Sequence, residues 1–229
     1  MRSPFLIATA ALVIATAARA ADPAPAGPAP ASVAPGPAGH WSIDSGETVS
    51  AGRDAVSLEL GWPSVTAGYL HGLSDLTDVG LKFDLLYGYE GTTADNRLGL
   101  GFRVPLRAMV LRRDRISLQL HIDPGLRLYP RSGDNQLLLA FPVGATLGIQ
   151  ALPELRVALG FDVAMSVVTS GAPGPFFLIG PQFGFDVEYL VDKQLLVGLD
   201  TRFGPLVSSH YGSNTEFAFR TSIVVGYKF

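Results

Sequence analysis

The chain has no cysteine. That excludes disulfides, thiolate metal centres and lipid attachment through a cysteine. Charge is scarce too: Asp, Glu, Lys and Arg make up 16% of the 229 residues, where about 25% is usual in a soluble domain. Beyond residue 20 there is no uninterrupted apolar run of about 18 residues, so no spanning helix is expected. Zinc-ligand spacings, phosphate loops and nucleotide fingerprints are missing as well. The expectation is a protein with no catalytic, cofactor-binding or metal residues, no cofactor and no nucleic-acid partner. A formal net charge of −3 agrees with the last of these.

What the chain does have is an export signal and a period of two. Arg2, the apolar run from Phe5 to Ala17, and Ala18-Arg19-Ala20 before Ala21 form the charged start, core and small-x-small end of a cleaved signal peptide. Its removal takes two arginines and no acid, moving the net charge from −3 to −5. Residues 21–39 are nearly all Ala, Pro and Gly, and read as an extended periplasmic linker. Residues 40–52 are transitional: a short amphipathic element, a lumen plug or more linker. The expected organisation is thus a signal at 1–20, a linker and transitional segment at 21–52, and a folded body at 53–229.

From Ala55 onward, apolar and polar residues alternate. The last strand shows it best. Phe217, Phe219, Thr221, Ile223, Val225, Tyr227 and Phe229 fall on one face; Glu216, Ala218, Arg220, Ser222, Val224, Gly226 and Lys228 fall on the other. Similar ribbons recur between turns near 63–64, 74–78, 91–96, 112–114, 130–135, 152–154, 170–175, 191–194 and 208–214. A hydrophobic chain without a spanning helix but with this alternation suits a barrel with its apolar face toward lipid and its polar face toward the lumen. The fold class expected is all-β: a transmembrane antiparallel up-and-down β-barrel of about ten strands. Ten requires Pro63-Ser64 to be a hairpin turn; eight results if the first hairpin stays outside the wall. Even parity puts both ends in the periplasm. The connections look too short for a folded external domain or a long pore-constricting loop.

The run Thr221-x-Ile223-x-Val225-x-Tyr227-x-Phe229 resembles the terminal-strand signature of bacterial outer-membrane β-barrel proteins. The resemblance covers residues 55–229, and the signal and linker fit it. It implies an outer-membrane location, contact with membrane lipid, and recognition of Thr221, Ile223, Val225, Tyr227 and Phe229 by the barrel assembly machinery. A monomer is expected. About activity it is nearly silent, since the family holds passive, structural, enzymatic and transport members.

Parity assigns a set of charges to the lumen. The acids are Glu59, Asp84, Glu90, Asp123, Asp162, Asp186, Glu188, Asp200 and Glu216. The bases are Lys82, Arg97, Arg103, Arg107, Arg127, Arg156, Arg202, Arg220 and Lys228, with His121 beside them. One reading is a salt-bridged interior that fixes register; the other is a charged path for ions or solutes. The two signs balance, which argues against strong selectivity. Many glycines share that face, either to relieve crowding in a tightly curved wall or to leave room for a narrow water column. Ser208 to Glu216 is the one stretch resembling a hydrolase kit, but His210 and Ser213 are three apart and an ideal strand would point them to opposite faces. The functional expectation is a non-enzymatic, structural barrel with a largely closed lumen. A narrow solute or ion channel is the alternative, and a lipid-modifying or proteolytic enzyme a third.

The signal reading has a direct check. N-terminal sequencing of the purified chain should start at Ala21, and recovery of Met1 would refute cleavage.

Overall fold

The computed structural model describes residues 40–92, 96–130, 135–171, 174–210 and 215–229. The signal peptide, the linker at 21–39 and Ser213 lie outside the described residues. The described residues form a closed antiparallel β-barrel of ten strands. Seven staves are continuous: β1 (Asp54–Trp62), β2 (Ser64–Ser74), β3 (Thr77–Leu86), β10 (Leu155–Val168), β11 (Phe176–Leu190), β12 (Leu195–Ser208) and β13 (Thr215–Lys228). Three are each broken into two segments: β4 (Gly99–Arg103) with β5 (Leu106–Arg113), β6 (Ile116–Ile122) with β7 (Gly125–Tyr129), and β8 (Gln136–Ala140) with β9 (Val143–Gln150). Each stave pairs with its sequence neighbours, and β1 closes the ring against β13 through Ala55↔Lys228 to Trp62↔Thr221. The first hairpin therefore belongs to the wall, with Pro63 as its tight connection.

The breaks have a common cause. Val104-Pro105, Asp123-Pro124 and Phe141-Pro142 lie side by side on adjacent staves, and proline donates no backbone hydrogen bond. The ladder survives as single bonds: Val104 N–H to the Pro124 carbonyl at 2.8 Å, Asp123 to Pro142 at 3.0 Å and Phe141 to Met165 at 2.8 Å. A β-bulge between Met109 and Leu111 adds a second irregularity. Val110 and Leu111 both face outward, each 45% exposed. The parity then restarts with Arg112 buried inside.

The outer surface is a belt of exposed apolar side chains on every stave, from Val56 and Leu58 on β1 round to Ile223 and Val225 on β13. No water-soluble protein displays such a surface on all sides; it is a solvent-facing surface for hydrocarbon. Tyr69, Tyr189, Tyr227 and Phe229 gather outward near the end that holds Asp54 and the C-terminus, here the terminal end. The cores lie inside the barrel. One apolar cluster, of Trp41, Ile43, Val49, Ala55, Leu70, Leu196 and Val224, fills the terminal end. A second, of Leu86, Tyr89, Tyr129, Leu138, Val168, Leu178, Leu206 and Ala218, fills the far end. Thus the inward face also carries apolar side chains at both ends, and the expectation of a wholly polar lumen is corrected there.

The wall is uneven. β1 and β2 have 9 and 11 residues, whereas β10 to β13 have 14 or 15. Beyond Trp62 the far half of β13 has no β1 partner. The segment Tyr87–Thr92 leaves β3, crosses the short hairpin through Tyr87 N–H to the Pro63 carbonyl at 2.9 Å, and reaches β13. There Phe219 N–H donates to the Gly91 carbonyl at 2.8 Å and Thr92 bridges Ala218. This short segment lies at the far mouth, and it is not a long pore-constricting loop.

Phe183, 53% exposed on β11, tests the belt. Phe183→Arg should destabilise the folded state in a bilayer by about 2–4 kcal/mol if the site is near the midplane, read from denaturant titration in vesicles. An unchanged midpoint would mean that this face does not meet hydrocarbon.

Candidate functional site

The interior is built in three layers, starting with a plug at the terminal end. Residues Trp41 to Val49 have no regular structure and lie buried inside the wall. Of the three readings open for residues 40–52, the structure shows the plug. The folded body therefore starts earlier than residue 53, since this segment fills its interior. A backbone without helix or strand must find other partners for its polar groups, and the wall supplies them. The Ile43 and Asp44 N–H groups donate to Glu188 Oε1 at 3.0 and 2.8 Å, and the Ser45 hydroxyl donates to the same carboxylate. Val49 N–H reaches Asp78 at 3.2 Å. Arg156 Nε donates to the Ser45 carbonyl at 2.9 Å, Gln119 Nε2 to that of Glu47 at 3.1 Å, and Arg107 to those of Ser42 and Ile43.

Glu47 is the plug's anchor. Its carboxylate takes Arg112 Nη2 at 2.5 Å on one oxygen and Arg156 Nη2 at 3.0 Å on the other. Gly46 makes the turn before it at φ +85°, a region that disfavours side chains. The wall has glycine where the plug passes: a Cβ on Gly226 would sit 2.9 Å from Ile43 Cγ1.

The middle layer is the charge network. Lys82 Nζ lies 2.6 Å from Glu59 and 3.6 Å from Asp44 of the plug. Arg103 grips Asp84 with two bonds of 2.8 and 2.7 Å, and lies 3.6 Å from Asp123. Arg107 pairs with Asp78. Arg202 is the hub, with Asp162 at 2.9 Å, Asp186 at 2.6 Å and Asp200 at 2.6 Å. Asp162 also holds His121 Nε2 at 2.6 Å. Arg220 lies 3.3 Å from Asp200. Above this layer, Glu90 from the Tyr87–Thr92 segment takes Arg127 at 2.5 Å, the Ser166 hydroxyl at 2.9 Å and the Tyr129 hydroxyl at 3.1 Å. Arg97 donates to Gln136 at 2.9 Å and stacks over the Tyr89 ring.

Two of the lumen residues expected from parity stand apart from this network. Glu216 is exposed at the far end of β13. Lys228 reaches the plug through the Trp41 ring, 5.5 Å from its centroid. Four members were not found by parity. Asp44 and Glu47 sit on the segment left undecided; Asp78 and Arg112 were assigned to turns. The adjacent apolar pair Val110-Leu111 was the available sign that the alternation resets before Arg112. Asp78 shares the parity of Gly80 and Lys82, so extending β3 backwards would have included it.

Among the described residues, two small chambers lie in the interior. One of about 40 Å³ lies between the plug and the network, beside Lys82, His121 and Asp162. The other, about 80 Å³, lies between the network and the far cluster, beside Arg127, Tyr129 and Glu90. Arg103 and Arg220 border both. Among the described residues no group of three or more His, Asp or Glu side chains is arranged to hold a metal ion. His210 is described and packs on Phe176, but its supposed partner Ser213 is not.

No protein-family model matches the chain, and no curated protein sequence does. Among solved structures it is similar to the outer membrane protease OmpT from Escherichia coli, at 9% identity and a TM-score of 0.44 over 77% of this chain and 93% of that one. It is similar to the KdgM porin at 13% identity and a TM-score of 0.38 over 77% of this chain and 99% of that one. A third is the outer membrane channel DcaP of Acinetobacter baumannii, at 16% identity and a TM-score of 0.33 over 80% of this chain and 56% of that one. A protease, a porin and a channel share this level of likeness, so it says nothing about activity.

The network makes an unequal prediction for two arginines. The Arg202 side chain is 3% exposed amid three carboxylates, whereas that of Arg220 is 41% exposed to the interior space. Arg202→Ala strands buried acids and should cost about 3–5 kcal/mol, less where chamber water reaches them. Arg220→Ala should cost much less. Unfolding midpoints in detergent compare the two, and equal losses would refute the hub.

Proposed function

We propose that the protein is a non-catalytic, structural component of the outer membrane: a monomeric barrel whose lumen is closed from both ends. One observation carries the reading, the seating of Trp41 to Val49 inside the terminal end with Glu47 held by Arg112 and Arg156. The far apolar cluster adds a second seal. Ion pairing supports the same reading. Charged groups in a conducting pore keep water about them, whereas here the guanidinium groups of Arg103, Arg107 and Arg202 are buried against carboxylates. On this reading both ends of the barrel chain are periplasmic, and the assembly machinery inserts the barrel through Thr221, Ile223, Val225, Tyr227 and Phe229.

The narrow-channel alternative rests on the two chambers, which meet at Arg103 and Arg220. Planar-bilayer recording of the refolded mature chain separates the readings. The closed barrel should show only rare, small openings. Glu47→Gln should raise their frequency by loosening the plug while leaving the far cluster in place. A large, stable conductance of the wild type that ignores Glu47→Gln would overturn closure and favour the channel.

A further inference from the structure

The apolar belt is not equally tall round the barrel. Val56 on β1 pairs with Tyr227 on β13 and with Tyr69 on β2, so these three outward side chains form a row at the terminal end. Tyrosines in such a row mark a membrane interface. On β1 the belt runs from Val56 through Leu58 and Leu60 and ends at the half-buried Trp62. At about 3.4 Å per residue and a tilt of about 40°, that stretch covers about 15 Å of height. On β13 the belt runs from Tyr227 to Phe217, about 26 Å by the same measure. A band of about 25 Å is usual for such a barrel, so β13 matches a bilayer and the adjacent β1 falls short of it by about 10 Å.

The far end of the short side is finished as an interface. Trp62 and Tyr87 pack edge to face with ring centroids 5.6 Å apart. Both have polar ends that reach backbone carbonyls: Trp62 Nε1 donates to Gly91 at 3.5 Å, and the Tyr87 hydroxyl donates to Gly61. Amphipathic rings of this kind sit at headgroup depth. The neighbouring staves turn polar at the same row. Trp62 pairs with Thr221 and Thr221 with Thr201, at positions of outward parity, and the two threonine hydroxyls lie 3.0 Å apart in a hydrogen bond. Beyond Thr221 the belt of β13 resumes with Phe219 and Phe217, whereas β1 ends at Trp62.

An apolar face too short for its bilayer thins the lipid beside it, unless long flanking side chains or a second protein cover the difference. β1 and β2 hold no lysine or arginine that could snorkel. Thinning also shortens the apolar distance that a lipid headgroup must cross. We propose that the β1–β2 side thins the bilayer beside it, and that this strip lets phospholipid headgroups pass between the leaflets. The inference rests on the wall lying in a membrane and not on closure of the lumen.

Trp62 measures the thinning. The other tryptophan, Trp41, is buried inside the barrel away from lipid. The refolded mature chain is placed in phosphatidylcholine vesicles whose lipids carry bromine either near the headgroup or near the chain end, with Trp62→Phe giving the background. In a thinned strip the headgroup-side bromine should quench Trp62 more strongly. A full hydrocarbon core of about 30 Å would instead put Trp62 near the midplane, where the chain-end bromine quenches more. That order would overturn the thinning. Quenching by neither would mean that a second protein covers the strip, and would overturn it too.

The passage is read by albumin extraction of a fluorescent phosphatidylcholine from the same vesicles. Albumin is too large to enter the barrel, so a conducting lumen would not mimic exchange. In dioleoylphosphatidylcholine, exchange should be at least about tenfold faster than without protein, a barrier lower by about 1.4 kcal/mol. In dimyristoleoylphosphatidylcholine, a thinner bilayer closer in height to the short side, that ratio should fall. Headgroup-side quenching without faster exchange would keep the thinning and overturn the passage. A ratio indifferent to chain length would overturn thinning as the cause of exchange.

Discussion

A charge held inside a barrel wall needs a partner within hydrogen-bond reach, because bare desolvation costs several kcal/mol per ion. Most of this molecule's interior follows from that constraint. Arg112 faces the terminal end with no inward acid opposite it, and Arg156 lies opposite Glu188 in the β10–β11 register. The two arginines share a partner from outside the wall, Glu47 on the plug. Glu188 has the complementary problem and is met by the plug's Ile43 and Asp44 N–H groups. The plug is therefore part of the network's stoichiometry. Without it Arg112 would lose its carboxylate, and Arg156 and Glu188 would keep only each other across the β10–β11 register.

The same logic orders the far end. The short β1–β2 hairpin leaves β13 with an unpaired edge, which is costly when the surroundings are hydrocarbon. The Tyr87–Thr92 segment covers that edge with backbone groups and, on its inner side, delivers Glu90 to Arg127. One segment thus meets both a wall defect and a lumen charge. Glu90 itself has φ +50°, an uncommon region for a side-chain-bearing residue. Its carboxylate makes three bonds to two staves, with Arg127 and Tyr129 on β7 and Ser166 on β10, and these hold that conformation.

Period two made the wall legible in the sequence, and with it most of the inward charges, because burial side and residue parity are the same variable in a strand. Parity fails where the backbone slips. At Val110 one extra residue reverses the assignment, so Arg112 read as part of a turn although it is buried. The plug was illegible for a different reason. Trp41 to Val49 carries no period, since its contacts are set by the cavity that surrounds it and not by its own geometry. The apolar seals were hidden by strand ends: Leu138, Val168, Leu178 and Leu206 have lumen parity but apolar chemistry, which a rule written for a polar lumen discards.

Glycine and charge in this lumen are two parts of one device. Glycine on the inward face was open to two explanations, crowding in the curved wall or space for water. The neighbours now distinguish them position by position. A Cβ on Gly160 would lie 2.7 Å from Arg202 Cζ, and one on Gly101 2.7 Å from Asp84 Oδ2. One on Gly144 would collide with Asp162 and His121. These glycines leave room for long paired side chains arriving from neighbouring staves. At Gly61 and Gly180 the obstacle is instead the backbone of the adjacent strand, at Thr221 and Pro205, which is the crowding explanation. A guanidinium can lie flat across a barrel interior only where the strand beneath it carries no side chain. The inward sequence therefore alternates long charged residues with glycine, and the space opened by one is occupied by the other.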